Sequence, residues 1–166
     1  MRSLAATGVL IGACCLPMPL AAITSQTLVV NATVAAGCLV VGGVTSYGTL
    51  DFGSYANSST STVVAQMPST GVRLQCTPGV ALNMTVDGGQ YNASGRRLQR
   101  SGGTQQVGYQ LFRDAGLSQA LPIGQSVAVV YSDATNISLP IYGRLVLPGN
   151  LPSGQYSDVL QVQLSW

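Results

Sequence analysis

Chemistry in this chain falls to few residue types. There is no His, no Lys and no Glu, so acid–base work would have to come from five aspartates, seven tyrosines or four cysteines. The aspartates, Asp51, Asp87, Asp114, Asp133 and Asp158, are scattered, and neither a carboxylate pair nor a nucleophile elbow can be read among them. A metal centre lacks ligands without histidine. No enzymatic activity, cofactor or small-molecule substrate is expected. The densest basic group is Arg96, Arg97 and Arg100 in "SGRRLQRSGG". It could meet an acidic surface, but three arginines in a Gly/Ser stretch read more simply as a solvated loop tip.

The cysteines depend on how the chain begins. Met1-Arg2 is followed by an apolar run from Leu4 to Leu20, broken by Pro17 and Pro19 and leading into Leu20-Ala21-Ala22. That is the layout of a secretory signal peptide over residues 1–22, cleaved after Ala22. As a membrane span the run is short and interrupted by proline. A minor alternative is a lipoprotein box at Ile11-Gly12-Ala13-Cys14, which would lipidate Cys14. Cleavage after Ala22 removes Cys14 and Cys15 and leaves Cys38 and Cys76, which in an oxidising compartment form a structural disulfide.

Charge narrows the function classes further. With Arg2 set aside, six arginines face five aspartates, and a near-neutral surface excludes steering onto nucleic acid as a main activity. Only 7% of residues are charged while 46% are hydrophobic, the reverse of a disordered composition. Sequons at Asn31, Asn57, Asn83, Asn92 and Asn136 could mark a glycosylated protein. In a chain this rich in Asn, Ser and Thr they are expected by chance.

Nearly every stretch able to position these residues reads as a strand. Leu28, Val30, Ala32 and Val34 share one face of "LVVNATV", Cys38 to Val41 is a short strand, and "YGTLDF" (Tyr47 to Phe52) is another. Ser54 to Ser61 is a polar loop. Val72, Leu74 and Cys76 alternate, as do Val80, Leu82, Met84 and Val86, before Asp87-Gly88-Gly89 turns the chain. Gln90 to Gln106 is polar. Val107, Tyr109 and Leu111 alternate next, then come Ser126 to Tyr131, Ser138 to Val146 and Tyr156 to Trp166. Short strands separated by turn residues predict an all-β antiparallel two-sheet sandwich in one domain. The chain stops on Leu160, Val162, Leu164 and Trp166 alternating with Gln161, Gln163 and Ser165, an uncharged strand with no partner after it, and such an edge invites pairing with another chain.

The ordered set "AAGC" (35–38), "YGTLDFGSY" (47–55), "VRLQC" (72–76), "MTVDGG" (84–89), "VGYQLFRD" (107–114), "LPIYGRL" (139–145) and "SGQYSDVLQVQLSW" (153–166) resembles the spore coat protein U domain, the subunit family of archaic chaperone-usher pili. The resemblance implies an incomplete immunoglobulin-like sandwich completed by a donated strand. Residues 23–36 would be the N-terminal donor extension, with Leu28, Val30, Ala32 and Val34 as its inserted row, and residues 37–166 the pilin domain. Leu160, Val162, Leu164 and Trp166 would form the edge that accepts a chaperone or donor strand. Implied partners are a periplasmic chaperone, an outer-membrane usher and neighbouring subunits joined head to tail, and the implied destination is the cell surface as a pilus supporting adhesion and biofilm formation. Asp51 and Asp87 become turn or capping residues. The alternative from residues alone is a self-contained secreted coat or binding protein whose N-terminal strand completes its own sandwich.

Overall fold

A computed structural model describes residues 28–43, 46–67 and 72–166. Residues 28–34 and 35–166 belong to separate units. The first carries no regular secondary structure, and Leu28, Val29, Val30 and Val34 are all exposed.

The larger unit is built from strands wherever apolar residues recur at every second position, because the pleat then puts one row into the core and the other into water. In chain order these are β1 (Cys38–Val40), β2 (Thr62–Gln66), β3 (Arg73–Cys76), β4 (Asn83–Val86), β5 (Arg97–Arg100) and β6 (Gln106–Phe112), then β7 (Ser126–Ala128), β8 (Ile137–Ser138), β9 (Tyr142–Val146), β10 (Tyr156–Ser157) and β11 (Val162–Ser165). One 3₁₀ turn, Val41–Gly43, follows β1.

All the pairings between these strands are antiparallel. β10-β5-β6-β9-β2 form a five-stranded sheet, while β1-β3-β8 and β11-β4-β7 form two three-stranded sheets. Inward rows from all three sheets meet in one core: Val63, Tyr109, Leu111 and Leu145 from the five-stranded sheet, Leu74 and Ile137 from the second, Met84 and Val86 from the third. Each of these aliphatic side chains contributes about 1.5–3 kcal/mol by leaving water. The all-β antiparallel class expected from the alternation is the class found.

Local expectations fared differently. The rows Val72/Leu74/Cys76 and Val107/Tyr109/Leu111 are buried as read, and of the row Val80/Leu82/Met84/Val86 all but the half-buried Val80 are buried. Residues 47–52, expected as a strand, join no ladder, and Gly48 within them has φ +110°. β2 was not anticipated, because the adjacent Val63 and Val64 blur the alternation that buries Val63 and exposes Val64. Residues 97–100, expected in a polar loop, pair with β6 as β5.

Candidate functional site

The last stretch of the chain changes sheets. Ser157 in β10 pairs with Gln99 of β5 in the five-stranded sheet, whereas Val162 in β11 pairs with Val86 of β4 in a three-stranded one. Between them residues 158–161 belong to no ladder, and backbone groups there need other partners. Aspartates supply them. Asp87 Oδ1 accepts from the Gln161 N–H at 3.0 Å and from the Gly89 N–H at 3.1 Å, while the Asp87 N–H donates to the Gln161 carbonyl at 3.1 Å. Asp158 Oδ1 accepts from Val159 N–H at 2.9 Å and from Gln90 N–H at 2.8 Å. The crossing is thereby fastened to the turn after β4.

Beside this crossing runs a groove of about 480 Å³. One wall is residues 46–50 and Phe52 with Met67; the other is residues 158–162; the floor is Val86, Leu98, Tyr109, Leu111 and Ile141. The first wall approaches closely because β9 has a glycine beneath it. A Cβ on Gly143 would lie 2.6 Å from Leu50 Cδ2 and 2.7 Å from Phe52 Cζ. β11 forms one edge of its sheet, with β4 as its neighbour on the inner side, so main-chain groups along its outer side face no strand among the described residues. An apolar trough next to an unpaired strand edge fits an extended chain whose alternate side chains are apolar.

Polar groups lie beneath the trough. Tyr109 Oη donates to Asp158 Oδ2 at 2.8 Å, and its ring meets Phe52 edge-on with centroids 6.0 Å apart. Burial, then the hydrogen bond to Asp158, pushes the Tyr109 phenol far above the ordinary tyrosine range. Arg96 is only 5% exposed. Its Nε–H donates to the Asp87 carbonyl at 2.8 Å, Nη1 to the Leu121 carbonyl at 2.7 Å, and Nη2 to the carbonyls of Val86 at 2.9 Å and Pro122 at 3.4 Å. Desolvation pulls its guanidinium below the usual arginine range, with Tyr109, Asp87 and Asp158 opposing the shift. The expected solvated tip is thus corrected for Arg96: a cluster of converging backbone carbonyls draws the cation inward.

Residues 24–163 match the model of the Spore Coat Protein U domain. The chain belongs to that family. Solved structures similar to it include two complexes. One is the CsuC–CsuE chaperone–tip adhesion subunit pre-assembly complex from the archaic chaperone-usher Csu pili of Acinetobacter baumannii, with 15% identity and a TM-score of 0.49 over 81% of this chain and 40% of that one. The other is a chaperone–tip adhesin complex described as vital for synergistic activation of CFA/I fimbriae biogenesis, with 13% identity and a TM-score of 0.44 over 78% of this chain and 41% of that one. This chain therefore spans about two fifths of either. No curated protein matches.

In this spore coat protein U domain, Cys38 and Cys76 are directly opposed in the β1–β3 ladder and joined by a disulfide. Of the residues expected on the accepting edge, Leu160 and Val162 line the groove. Leu164 is half-buried opposite Met84, and Trp166 is 59% exposed with its indole nitrogen beside Gly37; neither lines the groove. Leu28, Val30, Ala32 and Val34, the expected donor row, lie in the separate segment 28–34, whereas the signal peptide expected over residues 1–22 lies outside the described residues. Asp51 caps a turn, accepting from the Gly53 N–H at 2.8 Å, as expected. Reading the sequence missed Arg96, Tyr109 and Asp158 as partners in one network, since each is remote from the others along the chain. The Asp158 of "YSDVLQVQLSW" breaks an otherwise uncharged strand, and that lone charge was the available signal.

Proposed function

We propose that this protein is a structural subunit of an archaic chaperone-usher pilus, an incomplete immunoglobulin-like sandwich assembled by donation of a strand between subunits. The observation that carries the reading is the apolar groove lined by residues 158–162, which reaches the start of β11, a strand whose outer side faces no other strand among the described residues. Family membership supports it. After export under the signal peptide at 1–22, a periplasmic chaperone covers the groove. At an outer-membrane usher the N-terminal extension of the next subunit, residues 23–36, replaces the chaperone strand beside domain 37–166. Such a contact is heterologous and non-closing, so it builds a fibre at the cell surface. The fibre supports adhesion and biofilm formation; the chain is not an enzyme and needs no cofactor.

Energetics support the division of labour. Moving Leu28, Val30 and Val34 from water into a groove is worth roughly 5–8 kcal/mol in sum, with Ala32 adding little. That is comparable with the whole stability of an ordinary domain. A subunit without a strand in its groove is accordingly marginal, and one with a strand is very stable.

The test is an unheated denaturing gel of the purified protein beside a version lacking residues 25–34, each coexpressed with a candidate periplasmic chaperone. A ladder that collapses on boiling and vanishes with the deletion is expected. A stable monomer that needs no chaperone and unfolds on deletion would overturn the proposal in favour of a strand that closes its own sandwich.

A further inference from the structure

Tyr109 touches both sides of the groove. It rises from the middle of β6, its ring edge packed on Phe52 of one wall and its hydroxyl bonded to Asp158 of the other. Asp158 is itself pinned by the Gln90 N–H. Gly89 leaves it the room to sit there, since a Cβ at that position would lie 2.0 Å from Asp158 Oδ2. The wall 158–161 has no ladder, so this carboxylate is one of its few fixed points. The opposite wall, 46–52, has no ladder either. Gln161 ties the far end of the 158–161 wall to Asp87, but neither wall is paired to a strand along the groove, and apolar walls attract one another across water and would close if nothing spanned them.

We infer that Tyr109 is a strut across the groove, braced on Phe52 and bonded to Asp158, which holds the walls at strand width before a strand enters. The inference rests on the donated-strand reading and adds a positioning residue to it. The tie is directional. Its phenol must donate, because Asp158 is a carboxylate, and the bond lies between partly desolvated groups where a charged acceptor strengthens it. Cutting it lets closed forms of the groove compete, and capture slows by the fraction of chains left open. Once a strand is seated it separates the walls itself, so the strut matters to entry far more than to retention.

The experiment follows association and dissociation of a fluorescent peptide of residues 25–34 with the full chain, expressed for export and purified, by stopped-flow anisotropy. Tyr109→Phe keeps the ring and removes only the hydroxyl; Asp158→Ala removes the acceptor and serves should the first variant repack; Val72→Ala is a core control away from the groove. The association rate is expected to fall about 10–100-fold in Tyr109→Phe, the worth of one hydrogen bond to a charged group. Dissociation should change less than twofold, and the double variant should be no slower than Asp158→Ala, because both changes cut one tie. Association within twofold of wild type in both single variants overturns the strut and leaves the donated strand standing. Equal slowing by Val72→Ala also overturns the strut, since general loosening would then explain the effect. No capture by the wild-type chain overturns the donated-strand reading itself, and the strut with it.

Discussion

Replacing Arg96 with methionine should remove a large part of this domain's stability. Methionine keeps an unbranched apolar stem but delivers no proton to the four carbonyls that Arg96 serves, those of Asp87, Val86, Leu121 and Pro122. The Val86 carbonyl retains a bond from the Gly124 N–H at 3.0 Å, so its loss is partial. Three of the four bonds are 2.9 Å or shorter. Stranding a buried acceptor costs about 1–3 kcal/mol, offset in part because no cation need be desolvated once arginine is gone. The net expectation is about 3–5 kcal/mol, against a total stability of about 5–15 kcal/mol. Equilibrium urea unfolding of the purified protein reads it directly. With a slope of about 1.5 kcal/mol per molar urea, the midpoint falls by about 2–3 M at unchanged slope. Arg96→Lys keeps the charge but not the planar fork and should fall between the two. A midpoint shift under about 0.5 M for the methionine variant would refute the reasoning, because the carbonyls would then have found water or other donors at no cost.

Three further outcomes follow from the same contacts. Tyr109 has a folded pKa raised above the ordinary value of 10.0, so it contributes stability that is complete below pH 10 and is lost as pH rises beyond it. Unfolding midpoints measured from pH 8 upward should therefore drop steeply past about pH 10 in the wild type and less steeply in Tyr109→Phe. Opening the disulfide by a Cys38→Ser, Cys76→Ser double change frees a loop with a sequence separation of 38 and should cost roughly 3–4 kcal/mol, seen as a lower urea midpoint that reductant no longer shifts. Gly89→Ala should cost about 1–3 kcal/mol, because φ is +81° there and the new methyl would strike the Asp158 carboxylate, with fluorescence of the exposed Trp166 reporting any disturbance that reaches β11.

Alternation along single segments, the pairing of Cys38 with Cys76, and the turn aspartates beside glycines were legible without coordinates. Each is a local property: a pleat repeats every two residues, so the row Leu82, Met84 and Val86 declares its buried face by its own composition. What could not be read is who stands opposite. "YGTLDF" looks like any strand, yet residues 47–52 join no ladder and become a groove wall, held close because Gly143 on β9 has no side chain to keep Leu50 and Phe52 away. "SGRRLQR" looks like a wet loop, yet Arg96 is drawn under the sheets while Arg97 and Arg100 become the ends of β5. The difference lies in backbone carbonyls from residues 86–87 and 121–122, which meet only when the chain is folded and which a guanidinium can satisfy together. The sequence by itself determined the all-β class and the inward rows of β3, β4 and β6, because periodicity is written in neighbouring residues. Only the tertiary structure decided the groove, its strut and the buried cation, because those depend on groups brought together across the chain.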